Sequence, residues 1–113
     1  LLNGGEIDGQ RYLSKETCQL FTTETSKISR RGLGFDKPDA DDPKKGNCAP
    51  AAPAEVYGHT GFTGTCAWVD PMNELVYVFL SNRIYPDVTN RKLNQLHIRE
   101  RIQGAIYDAM KKK

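Results

Sequence analysis

At 113 residues, with 38% hydrophobic and 27% charged residues, the chain has the composition of one soluble domain of modest size. A net charge of +2 is too small to argue for a nucleic-acid partner, and no apolar run approaches the roughly 20 residues needed to cross a bilayer. Cys18, Cys48 and Cys66 are odd in number and lack metal-ligand spacing, so unpaired thiols packed as small apolar residues are expected, with one bridge plus a free thiol left open; neither a metal nor an organic cofactor is implied.

The chain opens with Leu1-Leu2-Asn3-Gly4-Gly5, which reads as the last turn of a helix and its left-handed glycine cap. Glu6 to Arg11 follows as a tight turn or short hairpin around Asp8-Gly9. Ser14 is a good N-cap for a helix of about nine residues, with Leu13, Thr17, Leu20 and Phe21 as its inner stripe. Arg31-Gly32-Leu33-Gly34-Phe35 resembles a strand in which glycines let another backbone or a ligand approach. The proline- and alanine-rich stretch Asp36–Glu55 has neither helical nor strand period and is expected as a long surface loop.

Gly61 to Val69 alternates, with Phe62, Cys66 and Trp68 on one face and Thr63, Thr65, Ala67 and Val69 on the other. Asp70 to Glu74 is a turn, in which Asp70 serves as a turn residue rather than a catalytic acid. Leu75 to Leu80 is apolar on both faces, the pattern of an interior strand covered above and below. A final helix over roughly Leu93 to Lys112 carries an apolar stripe of Ile98, Ile102, Ala105, Ile106, Ala109 and Met110, joined by Leu96, with Arg99 and Arg101 facing outward and Lys111 to Lys113 a solvated end. The expected fold is therefore α+β: an antiparallel sheet of about three strands, one of them Arg31–Phe35, with a C-terminal helix packed on it. One short helix is too little to cover the sheet's second face. Trp68 and Phe62 are expected in the core, and His97 in solvent.

Tyr57-Gly58-His59-Thr60-Gly61-Phe62-Thr63-Gly64-Thr65 carries the chemistry. Glycines at the start of a strand admit a substrate or backbone to hydrogen-bonding distance, and a histidine beside them suits proton transfer or hydrogen-bond donation near neutral pH. From His59-Thr60-Gly61 through the Asp70-Pro71 turn to Leu80-Ser81-Asn82-Arg83, the segment resembles the serine β-lactamase and penicillin-binding family, whose third motif is Lys-Thr-Gly on the strand lining the cleft. Leu2-Asn3-Gly4-Gly5 and Arg31–Phe35 resemble the segments that precede that strand.

The resemblance implies a partial β-lactamase/transpeptidase-like fold and an acyl-enzyme mechanism on ester, peptide or β-lactam-like substrates. By position, His59 stands where the family's lysine does, in the hydroxyl network or toward a substrate carboxylate. Thr60, Gly61 and Thr63 fall at substrate-binding positions, and the backbone N–H of Phe62 is one half of the oxyanion hole. The sequence departs from the pattern elsewhere. Ser14, Ser26, Ser29 and Ser81 are followed three residues on by Thr17, Ser29, Gly32 and Ile84, so none forms the nucleophile motif Ser-x-x-Lys, and neither Tyr-x-Asn nor Ser-x-Asn occurs.

The expectation is a C-terminal segment, residues 1–113, of a hydrolase domain from a bacterial periplasmic or secreted protein, inactive without its nucleophile. Some relatives of this kind are attached behind a glycoside hydrolase domain. Its partners would be the remainder of the parent domain or another copy of the chain, and a small-molecule or peptide substrate. A mostly neutral histidine in place of lysine is expected to hold carboxylates less strongly, favouring esters or peptidic amides over β-lactam antibiotics. The competing expectation is a non-catalytic interaction or structural module that retains the sheet.

Overall fold

The computed structural model describes residues 1–23, 26–39, 41–42 and 46–111. Strands β1 (Glu6–Ile7) and β2 (Gln10–Arg11) pair antiparallel. Asp8 and Gly9 between them both have positive φ, at 50° and 78°, as a two-residue type I′ hairpin turn requires. Helix α1 (Lys15–Thr22) begins as its sequence indicates, with Ser14 Oγ accepting from Thr17 N at 3.0 Å. Its expected inner stripe is not inside. Only Cys18 of this helix is buried, while Leu13, Leu20 and Phe21 are exposed.

The main sheet has three antiparallel strands in the order β3 (Tyr57–Thr60), β4 (Cys66–Asp70), β5 (Leu75–Phe79). Fold class and strand number agree with the α+β expectation, but the strands are not the expected set. Gly61 to Val69 is not one strand: Gly61 N donates to Thr65 O at 2.7 Å, and Gly64 at φ 93° turns the chain between β3 and β4. The β-branched threonines in this turn imitate strand alternation, and the glycine's backbone preference overrides it. Arg31–Phe35 is not a strand either. The pairing falls one residue later, where Asp36 and Gly58 exchange backbone hydrogen bonds of 2.7 and 3.1 Å in an isolated bridge.

Strand register sorts the side chains. Cys66, Trp68 and Asp70 oppose Phe79, Tyr77 and Leu75, while Ala67 and Val69 oppose Val78 and Val76 on the other face. Trp68 is 1% exposed and packs with Cys48, Val56, Cys66 and Tyr77. Burying a side chain of this size contributes about 2–3 kcal/mol, offset in part because its indole N–H has no acceptor among the described residues. Cys48 and Ala49, within the segment expected at the surface, are each 2% exposed and help form this core. Ala40 and residues 43–45 of that segment lie outside the described residues.

Two helices, α2 (Lys92–Gln95) and α3 (Ile98–Met110), stand where one was expected, separated at His97 with φ 49°. The expected end at Lys112 lies outside the described residues. Helix α3 turns Arg99, Gln103 and Tyr107 inward, so Arg99 faces inward rather than outward, and Ile102 and Met110 are exposed. The sheet and loop offer polar partners to this stripe. Tyr77 OH donates to Arg99 O at 3.1 Å, Ala49 N to Gln103 Oε1 at 2.8 Å, and Tyr107 OH to Asp70 Oδ2 at 2.8 Å. A stripe that satisfies its hydrogen bonds and brings a tyrosine ring can be buried ahead of an aliphatic one.

Candidate functional site

The end of β3 and the turn after it border a cleft of about 550 Å³, within the size range of small-molecule sites. Thr60, Gly61 and Phe62 line it, together with Arg83 beyond β5 and Asn94 and Arg99 from the C-terminal helices. Gly58 is required for the approach of β3 to β4, since a β-carbon there would collide with Ala67 O and the Trp68 ring. The turn is tied to the chain after β5 by Arg83 N and Ser81 Oγ, which donate to Thr63 O at 2.9 and 3.1 Å. Phe62 is 71% exposed rather than in the core, and the Arg83 guanidinium carbon lies 5.0 Å from its ring centroid. No protein acceptor among the described residues takes the Phe62 N–H.

The predicted site residues divide. Thr60, Gly61 and Phe62 meet at the cleft; His59 and Thr63 do not line it. His59 opposes Ala67 in the β3–β4 register, on the face opposite the Trp68 core. Its Nε2 lies 3.1 Å from Arg31 Nη1 and its Nδ1 faces Thr60 O. A guanidinium only donates and a carbonyl only accepts, so both contacts are satisfied when the ring proton sits on Nδ1. Arg31 thus places a permanent cation beside the imidazole, at a position the sequence marks only as strand-like. Arg99 was likewise missed, being expected to face outward, whereas Arg83 was expected to follow a strand end at the cleft's border but was not counted as a site residue; both line the cleft. No local signal links Arg31 to His59, which are 28 residues apart.

Buried charge holds the cleft's far wall. Asp36, 1% exposed, takes an ion pair from Arg30 Nε at 2.9 Å and hydrogen bonds from Arg30 Nη2 and Asn47 Nδ2, each 3.0 Å. Asn47 lines the cleft, so this carboxylate anchors it there. Among the described residues, no group of three histidine, cysteine or acidic side chains is gathered to hold a metal ion. Nor is any helix among them long and apolar enough to cross a membrane.

The beta-lactamase family model matches residues 1–100. The chain belongs to the beta-lactamase family. Relatives within reach of pairwise comparison include proteins described as "Putative D-alanyl-D-alanine carboxypeptidase" from Escherichia coli O157:H7, 33% identical over 94 residues, and from Escherichia coli strain K12, 32% identical over the same length. A Salmonella gallinarum protein of the same description is also 32% identical over 94 residues. Each match covers 83% of this chain but only 21 to 22% of the relative. The chain therefore spans about a fifth of the length of the curated relatives it matches. Membership in the beta-lactamase family accounts for the sheet and C-terminal helix and makes the chain part of a serine-hydrolase-related group.

Proposed function

We propose that this chain is the C-terminal segment of a bacterial, periplasmic or secreted serine hydrolase domain and supplies one wall of an acyl-transfer site. The observation that carries the reading is the meeting of Thr60, Gly61 and Phe62 at the cleft, with the Phe62 N–H free to donate. In this reading that N–H is half of the oxyanion hole, positioned where negative charge develops on a tetrahedral intermediate. The Thr60 hydroxyl and the Gly61 backbone hold substrate, and Thr63 closes the turn that aims them. The nucleophilic serine, with its lysine, comes from elsewhere in the native protein. Without it this chain forms no acyl-enzyme. Attachment behind a glycoside hydrolase domain is part of the proposal and does not alter this chemistry.

His59 takes the position of the family's lysine, and Arg31 beside it restores the positive charge that the exchange removes. Substrates are esters or peptidic amides, the relatives' names favouring peptides that end in a carboxylate. Arg31 tempers the expectation of weak carboxylate binding.

The test compares Phe62→Pro with Phe62→Ala in the full native protein, by acylation with a chromogenic thioester. Proline deletes the N–H and is expected to lower the acylation rate about 10²- to 10³-fold. Alanine keeps the N–H and is expected to retain activity within about fivefold, since only ring contacts are lost. Equal losses in the two variants would count against the oxyanion role, and a full native protein that never acylates would leave the non-catalytic module as the better reading.

A further inference from the structure

We propose that Asp36 is a positioning residue for His59: it fixes Arg31 and β3 from one point, and so holds the imidazole with its proton on Nδ1 and its Nε2 accepting from Arg31. The contact itself joins two exposed side chains, with Arg31 Nη1 3.1 Å from His59 Nε2. A hydrogen bond in that setting contributes little by itself, because water competes for both partners. What keeps it is the chain behind it. Asp36, 1% exposed, is reached by Arg30, the residue before Arg31, through an ion pair at 2.9 Å from Nε and a hydrogen bond at 3.0 Å from Nη2. Its own backbone exchanges hydrogen bonds of 2.7 and 3.1 Å with Gly58, the residue before His59.

The segment from Arg30 to Asp36 lies along β3 as a clamp. Gly32 N donates to Phe35 O at 3.1 Å, which turns Arg31 back toward Asp36. A β-carbon on Gly32 would collide with Thr23 O, so this turn is also seated against the end of α1. Consecutive residues of β3 are then met from one segment: Tyr57 by the Phe35 ring with centroids 5.2 Å apart, Gly58 by Asp36, and His59 by Arg31. The Asp36 carboxylate also accepts from Asn47 Nδ2 at 3.0 Å. If Arg30 swung away it would strand a desolvated negative charge, so the ion pair resists rearrangement and Arg31 inherits its place. The other ring nitrogen completes the arrangement. His59 Nδ1 faces Thr60 O at 2.6 Å, and a carbonyl only accepts, so the proton belongs on Nδ1 and Nε2 turns a lone pair to a guanidinium that only donates. Displacing Arg31 releases that choice at Nε2.

The inference deepens the proposed acyl-transfer reading and rests on it only for the effect on rate. In the full native protein carrying ring-labelled histidine, NMR at about pH 8.5, where unperturbed imidazole is neutral, reads which nitrogen of His59 bears the proton. His59→Gln identifies its signals. The expected native pattern is a protonated Nδ1 and a bare Nε2. Asp36→Asn removes the charge that holds Arg30 while keeping the side chain's size, and the signals should move to those of exchanging tautomers. Arg30→Gln leaves Asp36 in place and should move them the same way, which keeps the test open if the buried substitution fails to fold. In acylation by the thioester, Asp36→Asn is expected to lower kcat about tenfold with KM nearly unchanged, as for a group held out of place. Shifted tautomers with undiminished acylation would support the positioning role and count against His59 in the acyl-transfer reading. A native His59 protonated on Nε2 would overturn the proposal, as would unmoved signals in either folded variant. Failure of both variants to fold would assign the pair to folding and likewise overturn it.

Discussion

The thiol of Cys48 is pushed up from an ordinary 9.0 to about 12, chiefly by burial and next by the negative charge of Asp36. Tyr77 is raised from 10.0 to about 12, again chiefly by burial. Both groups bind their protons more tightly in the folded than in the unfolded chain. The stability they contribute is therefore fully present below the unfolded values near 9 and 10 and is lost as pH rises toward about 12. Urea midpoints should be flat from pH 7 to 8.5 and fall steeply between pH 9.5 and 12. Cys48→Ala should soften the lower part of that fall, and an unchanged alkaline slope in this variant would remove Cys48 as its source. Burial of all three cysteines was legible in the sequence from their number and spacing. The charge beside Cys48 was not, because Asp36 and Cys48 meet only once the intervening loop has folded.

At the scale of elements, Asp70 ties the β4–β5 turn to α3. Its Oδ1 accepts from Met72 N and Asn73 N at 2.9 and 3.1 Å, and its Oδ2 from Asn73 Nδ2 and Tyr107 OH at 2.8 Å each. Four donors serve a carboxylate that is 1% exposed. Removing the Tyr107 hydroxyl as Tyr107→Phe should cost about 1.5–3 kcal/mol in chemical denaturation, the range for a hydrogen bond to a charged group. Asp70→Asn should cost more, since it disturbs the turn as well. The double variant should show a coupling of about 1 kcal/mol or more, and additivity would mean that the contact does not bind helix to sheet. The turn role of Asp70 could be read from Pro71 and Asn73. Its role under the helix could not, because hydrophobic periodicity assigns the isoleucine side of α3 to the core. Ile106 does pack against the core, but polar partners at Ala49, Asp70 and Tyr77 draw the Arg99–Gln103–Tyr107 side furthest in. The residues from His59 to Phe62 could be singled out in the sequence, but their division between cleft and opposite face depends on β3 ending at Thr60 and the chain turning through Gly64.

At the scale of the whole molecule, the sheet has one packed face and a second that is covered at Tyr57, against Phe35, but bare along β5. Val76 and Val78 are 54% and 56% exposed, and Leu80 just beyond them 79%, along a strand that is, among the described residues, also a free edge of the three-stranded sheet. An apolar face on an open edge strand invites association, and proteins normally cover, charge or pair such edges. The sequence indicated this problem through the uninterrupted apolar run from Leu75 to Leu80, and α1 leaves it unsolved. The occupant proposed here is the remainder of the native hydrolase domain, because the chain spans only about a fifth of its curated relatives. Val78→Lys separates that occupant from open solvent. If the face is covered in the full native protein, the lysine buries an amine against apolar partners, and unfolding should become easier by about 2–4 kcal/mol. If the face is open to water there, the cost should stay within about 0.5 kcal/mol, as for other surface substitutions. In the 113-residue chain alone the same change removes apolar surface from a free edge. Sedimentation should then show less self-association than the unsubstituted chain at equal concentration. A large loss of stability in the full protein, together with reduced association of the isolated chain, would assign this face to intramolecular packing; a small loss in the full protein would return it to solvent or to a separate partner.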